Sequence, residues 1–428
     1  FGYVLEYLNY GSDGFKTLPS GKNTGFNKND VVAKFKVNLF PSATIQQSLA
    51  FKFQYADEVG NETYLGLSEA DFNNNPFDRY AASNNDQMTT DHTQYALTHT
   101  LEFTKDLHIT TTAYQNNFSR NWYKLNDVTF DGNKKSIAAI LNDPTTLDNH
   151  FSIVNGTVNS DVDALGVKAN NRKYYAQGIQ TKLDYHWYKG DAFHDLEIGF
   201  RAHYDEEDRF QWVDKYRMSS NKSMDLTTAG IPGTDANRIA SATAFASYLT
   251  YKLKYNNWTF TPGVRYENIT LKREDFGKND VKRTGVNLAL RENSVAIFIP
   301  GMGTNYKFHN DFSLFGGVHK GFSPPGNQNG QEPEESINYE FGTRFNLGKL
   351  KGEVVGFFND YSNLLGSDLA ATGGTGSLEL FNAGEVNVSG IEVLLNYNIA
   401  SENSKIAIPV SFGYTFTNSA FQNSFGSA

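Results

Sequence analysis

Apolar and polar side chains alternate strictly in short segments of about ten residues from one end of this 428-residue chain to the other, and that pattern constrains the fold more than anything else in the sequence. In Thr181 to Trp187 the odd positions carry Thr181, Leu183, Tyr185 and Trp187, while Lys182, Asp184 and His186 take the even ones. The same two-residue period runs through Leu49, Phe51, Phe53 and Tyr55, through Leu196, Ile198, Phe200 and Ala202, through Ile391, Val393, Leu395 and Tyr397, and through Phe412, Tyr414 and Phe416. Each such segment is a strand with one greasy and one wet face, and about 15 of them can be counted. Helical periodicity is rare. The longest apolar stretch, Val295 to Gly303, counts only if proline and glycine are included, far short of the roughly 20 residues of a membrane-spanning helix.

The connections alternate as well. Tight polar turns at Lys105-Asp106, Asn256-Asn257, Asn310-Asp311 and Gly348-Lys349 are interleaved with long irregular stretches at roughly 10–30, 58–91, 124–172, 207–240, 274–293, 322–336 and 364–383. So many long loops argue against a compact soluble sandwich or propeller. They fit an all-β, transmembrane antiparallel β-barrel, in which short turns at one rim alternate with long loops at the other. Charged residues on the wet face of nearly every strand agree, because a protein core could not hide them and a water-filled lumen can. Aromatic residues near strand ends, among them Tyr185, Trp187, Tyr188, Trp122, Tyr123 and Trp258, read as interfacial girdles. One helix is expected inside the loop at 124–172, where Ile137, Ile140 and Leu141 share a helical face and Pro144 ends it; it should pack over the barrel mouth and is the candidate moving part.

The formal charge of −9 leaves no basic footprint for nucleic acid. With no cysteine, thiolate metal sites, thiol catalysis and disulfides are excluded, and an envelope location is natural. A GxSxG serine nucleophile is absent, and the acidic loop EADFNNNPFD lacks the spacing of a calcium loop, so no enzyme chemistry and no bound cofactor or resident metal is expected. Neither end looks like a natural terminus: Phe1 to Tyr10 reads as strand, and the last residues form a polar tail. The expectation is an internal piece of a longer protein.

Several stretches, in order, resemble TonB-dependent outer-membrane receptors of the ferric citrate receptor type: NETYLGLSEADFNNNPFDRYAASNNDQ at 61–87, VKANNRKYYAQGIQT at 167–181, WTFTPGVRYE at 258–267, GGVHKGFSPP at 316–325, PEESINYEFG at 333–342, FFNDYSNL at 357–364 and NAGEVNVSGIE at 382–392. The resemblance implies a barrel of 22 strands of which residues 1–428 are the central part, with an N-terminal plug and the last strands not in this sequence. It also implies a bacterial outer-membrane location, a ferric chelate such as ferric citrate as ligand with Fe(III) as cargo, coupling to TonB-ExbB-ExbD through the absent plug, and contact with outer-membrane lipid, including lipopolysaccharide (LPS). Other ligands of such receptors (another siderophore, cobalamin, an oligosaccharide) and a passive porin or a surface-binding barrel stand as alternatives.

Parity selects the candidate ligand contacts. Arg172 and Arg238 lie on the wet parity at the outer ends of their strands, Arg201 and Arg265 on that of two nearby strands, and Arg120 shares it with Thr110 and Thr112. Arginine's planar fork suits bidentate capture of carboxylates, so these side chains, with the amide of Gln180, suit an anionic chelate. Arg79 could reach the ligand from its loop, although pinning that loop is the plainer role. His319, like His203, is placed to offer a haem ligand, but the haem-receptor signatures FRAP and NPNL are missing. Lumenal ion pairs are the competing explanation for any one arginine, with Arg344–Glu340 and Arg265–Glu267 as the obvious pairs.

Overall fold

A computed structural model describes residues 1–61, 64–367, 380–382, 384–400 and 405–422. Fifteen long strands form one antiparallel meander: β1 (Gly2–Ser12), β2 (Phe26–Leu39), β3 (Gln46–Gly60), β4 (Gln87–Thr104), β5 (Leu107–Phe130), β7 (Leu165–Lys189), β8 (Ala192–Met218), β10 (Ala236–Tyr255), β11 (Trp258–Asp275), β12 (Ala289–His309), β13 (Phe312–Ser323), β14 (Glu334–Leu347), β15 (Leu350–Ser362), β18 (Val386–Asn398) and β19 (Pro409–Phe421). The loops add β6 (Asn133–Ser136) against β5, β9 (Met224–Thr228) against β8, and the pair β16 (Leu365–Ser367) and β17 (Leu380–Asn382). Successive long strands pair from β1–β2 to β18–β19. Among the described residues β1 and β19 each pair on one side only, so the wall is an open arc of a barrel.

All four tight turns expected from sequence are two-residue hairpin connections, and Gly190-Asp191 is a fifth. Asn256 and Gly348 adopt φ of 50° and 62°, the left-handed backbone that such hairpins demand and that Asn and Gly supply most readily. At the opposite rim the strands overrun the expected loop borders: β5, β7 and β8 have 24, 25 and 27 residues, against the roughly 9–11 that cross a bilayer. Over residues 204–209 of β8 both faces are polar, which hides the alternation while the backbone ladder continues.

Cross-strand partners share a face. One row, Phe51–Leu97–Ala113–Ile179–Ala202–Phe245, runs across six adjacent strands on the apolar side, which faces lipid. Leu183 and Ile198 pair on the same face four residues closer to the tight turn. Below them aromatic pairs, Tyr185–Trp187 stacked at 4.9 Å and Trp258–Tyr306 tilted at 4.5 Å, form the girdle at the short-turn rim. Leu183→Arg is expected to cost about 2–4 kcal/mol in a urea titration of the full-length receptor in lipid vesicles; an unchanged midpoint would show that Leu183 does not face lipid.

The buried apolar core lies elsewhere, in a cap built by the long loops. Leu65, Ala81, Ala82, Leu125, Val128, Ile140, Ile153, Val154, Leu165 and Val167 are almost fully excluded from solvent and pack as one cluster. The expected helix is α2 (Ile137–Asn142), with Ser136 as its N-cap, and it contributes Ile137 and Ile140 to the cluster. Helix α3 (Asp148–Asn155) follows and stops at Gly156, whose φ is 76°. Two expectations need correction. Leu125 and Val167 face each other on the pleat face opposite to that of Arg120 and Lys124, so α2 packs against the outward side of the extended strands rather than over the lumen. Trp122 and Tyr123 are not in a girdle: Tyr123 packs against the cap and its hydroxyl donates to Asp214 at 2.7 Å, while Trp122, on the same face as Arg120 and Lys124, packs edge-on to Tyr64 at 4.7 Å.

Asp86, in the loop before β4, is 5% exposed, and burial pushes its carboxyl up to about 7. The unfolded chain releases that proton near pH 3.8, so between pH 4 and 7 the folded cap binds the extra proton and loses stability as pH rises, by up to about 1.4 kcal/mol per pH unit. Proteolysis of the cap is expected to be slower at pH 5 than at pH 7.5, and Asp86→Asn to abolish the difference; a cap more resistant at pH 7.5 would contradict this.

Candidate functional site

The wet pleat face of the extended strands carries a row of arginines in direct register. Arg120 of β5 lies opposite Arg172 of β7, Arg172 opposite Arg209 of β8, and Arg209 opposite Arg238 of β10. At about 4.8 Å between strands the row spans about 14 Å of lumenal wall. Like charges placed directly opposite one another destabilise a sheet, so the row is held against a local electrostatic cost. Two carboxylates sit beside them: Glu207 accepts from Arg172 Nη1 at 2.9 Å and from Arg209 Nε at 2.8 Å, and Asp275 of β11 lies directly opposite Arg238. Arg120 and Arg238 have no ion-pair partner among the described residues.

Two residues further toward the membrane, Arg273 of β11 lies on the same face and pairs with Asp275 at 2.8 Å. The side chains of Arg172, Arg209 and Arg273 are only 14%, 12% and 11% exposed, which strengthens charge-assisted hydrogen bonding to a bound anion. The surface is a shallow cationic shelf that can accept several carboxylate or phenolate oxygens at once.

The remaining candidates do not join this row. Gln180 and Arg201 are cross-strand partners eight residues down β8 from Arg209, about 26 Å along the strand. Arg201 Nε donates to the Tyr114 hydroxyl at 3.0 Å, which meets His203 Nδ1 at 2.7 Å, and His203 Nε2 reaches Asp205 at 3.2 Å. Both nitrogens of His203 are thus engaged, leaving no free haem ligand there. Arg265 pairs with Glu267 at 2.5 Å, as the sequence suggested. Arg344 does not pair with Glu340; its partner is Glu353, directly opposite on β15.

Arg265 and His319 line a separate lumenal hollow of about 700 Å³ floored by Gly263, Gly301, Gly303 and Gly317. Arg79 is fastened in its own loop, with Nη1 donating to the carbonyls of Pro76 at 3.0 Å and Asp78 at 2.5 Å. No group of three or more His, Cys, Asp or Glu able to hold a metal occurs among the described residues.

Arg209 and Arg273 were not singled out from the sequence. Arg209 fell inside an assumed loop; carrying the parity of Arg201 four steps further along β8 reaches it directly. Arg273 shares parity with Arg265 and was within reach of the same rule.

The comparisons with known proteins agree with this architecture. The crystal structure of the ferric citrate transporter FecA in its unliganded form superimposes with a TM-score of 0.69 at 16% identity, covering 99% of this chain and 55% of that one. The siderophore receptor PiuA from Acinetobacter baumannii gives 0.68 at 13% identity, covering 100% and 61%. The closed form of the ferric-catecholate import receptor Fiu from E. coli K12 gives 0.66 at 14%, covering 98% and 61%. The chain thus spans little more than half the length of these structures, and identities so low establish the fold alone. The family described as TonB dependent receptor-like, beta-barrel matches residues 7–427. With that match across nearly the whole chain, the protein belongs to the TonB-dependent receptor β-barrel family of the bacterial outer membrane.

Proposed function

We propose that this barrel imports an anionic Fe(III) chelate, with the shelf formed by Arg120, Arg172, Arg209 and Arg238 as its capture surface and energy supplied by TonB-ExbB-ExbD through a plug. The observation that carries the reading is the register itself: four guanidinium-bearing residues on four adjacent strands, on the lumenal face, with Glu207 shared between two of them and Asp275 opposite a third, so that arginines outnumber carboxylates along the row. A neutral ligand gives no reason to hold like charges together at a cost in stability. The structural neighbours include a ferric citrate transporter and a ferric-catecholate import receptor, whose ligands are both anionic chelates, which supports the ligand class and leaves ferric citrate as the finer proposal. The role is binding and gating; no bond chemistry is assigned to the chain.

The test is isothermal titration of the full-length receptor with ferric citrate, a ferric tris-catecholate, metal-free citrate and a neutral ferric trihydroxamate. Heat from at least one anionic chelate, weakening as salt is raised, is expected. Binding confined to the neutral trihydroxamate would refute the charge-based reading while leaving the fold untouched.

A further inference from the structure

Beneath the arginine shelf the wall reverses its polarity. Below Arg273 on the same pleat face of β11 come Leu271 and Ile269; Val295 of β12 lies directly opposite Ile269, and Ile297 is the next residue on that face. β10 places only alanine beside them, at alternate positions from Ala240 to Ala246, with Ala242 opposite Leu271 and Ala244 opposite Ile269. On the outward face at the same height Thr243, Thr270 and Ser294 form one cross-strand row, with Ser241 above it and Asn268 below. A barrel strand ordinarily turns its apolar side to lipid and its polar side to the lumen, so these three strands are inverted here.

The inversion is confined to the Arg238 end of the shelf. In the same rows β8 carries Asp205 opposite Ala242, His203 opposite Ala244 and Arg201 opposite Ala246, all polar. The lumen as a whole stays wet, and the apolar surface is local. Leu271, Ile269 and Val295 remain partly exposed, and none of them belongs to the buried cluster of the cap. Apolar surface left in a wet channel is unfavourable until something covers it, and a contiguous patch of this kind marks a binding surface.

Position narrows the chemistry of the cover. Leu271 lies two residues below Arg273 and Ala240 two below Arg238, about 7 Å along each strand, so the patch continues the shelf without a break. A ligand whose anionic head is held by the guanidinium groups would lay whatever projects down the lumen onto Leu271, Ile269 and Val295. Small-molecule sites are commonly built in this way, from apolar walls beside a few convergent polar groups. A wholly hydrophilic chelate would leave the patch uncovered. We propose that the transported chelate is amphiphilic, with an alkyl or acyl arm on its anionic iron-binding head, and that this lumenal patch binds the arm. The inference rests on the shelf as the capture surface and narrows its substrate class. A segment of the plug laid over the same face is the rival occupant.

The experiment is titration calorimetry of the full-length receptor in lipid nanodiscs with ferric complexes of two heads, citrate and 2,3-dihydroxybenzoate. Each head is made as an amide bearing either an n-hexyl chain or a 2-(2-hydroxyethoxy)ethyl chain of the same length. On the head that binds, the hexyl compound is expected to bind at least tenfold more tightly, the effect of withdrawing about two methylenes from water. Raising the salt concentration is expected to weaken both compounds equally and so to leave their ratio unchanged. The double variant Ile269→Thr/Leu271→Thr, and separately Val295→Thr, are expected to cut the ratio below threefold. Equal affinities for the two arms in the wild type, or a ratio unchanged in both variants, overturns the proposal and leaves the patch to the plug. Salt-sensitive binding of the hydrophilic compounds with no gain from hexyl refutes the patch and keeps the shelf. Heat from the hexyl compounds alone, indifferent to salt, refutes the shelf and keeps the patch, and no heat from any of the four overturns both.

Discussion

Replacing Arg172 and Arg238 together by alanine is expected to weaken binding of the anionic ferric chelate about 10²- to 10⁴-fold. Each charge-assisted hydrogen bond contributes roughly 1.5–3 kcal/mol, and about 1.4 kcal/mol is a factor of ten. The two residues play different parts. Arg238 makes no direct ion pair among the described residues, although Asp275 lies opposite it on β11, whereas Arg172 shares Glu207 with Arg209. Removing Arg172 therefore also leaves Glu207 less neutralised, which adds repulsion to the lost contact. Arg172→Lys is expected to fall between wild type and Arg172→Ala, since an ammonium keeps the charge but loses the planar fork. Titration calorimetry on the full-length receptor reads all of these; affinities within threefold of wild type in the double variant would remove the shelf from the binding site.

The second large effect concerns the cap. Ile140 is fully excluded from solvent among Leu125, Val128, Ile153 and Leu165, and Ile140→Asp would place an unpaired charge there. The cost is several kcal/mol, enough to open a unit held by one small cluster. Proteases are then expected to cut within 131–164 while the membrane arc, held by its backbone ladder and lipid-facing side chains, keeps its resistance to denaturant. A variant cut no faster than wild type would show that the cap does not depend on this cluster.

Most of the wall was legible in the sequence because a period of two needs no tertiary knowledge. The count of about 15 strands and the turns at Lys105-Asp106, Asn256-Asn257, Asn310-Asp311 and Gly348-Lys349 all stand in the structure. The pattern stopped being readable where its cause stopped. Above the bilayer neither face of β8 meets lipid, Tyr204, Glu206 and Asp208 alternate with Asp205, Glu207 and Arg209, and parity no longer separates wet from dry.

That is why the alternation places Arg209 in a loop and shows only part of the row. Arg172 and Arg238 were found from parity, but their common register depends on how far each strand runs, which hairpin geometry fixes and composition does not. The cap core was half legible: Ile137, Ile140 and Leu141 announced a helix, yet nothing local told which face of the wall it would cover. Pairing of Arg344 with Glu353 rather than Glu340 has the same origin, since a directly opposite residue on the next strand lies closer than one four positions away in the same strand.

Locating the iron tests the central claim most directly. In crystals of the full-length receptor grown with the anionic chelate that binds in calorimetry, anomalous difference density at the iron edge is predicted on the lumenal side of the wall, against Arg172, Arg209 and Arg238. An iron peak in the glycine-floored hollow beside His319, with the arginine shelf bare, would contradict it.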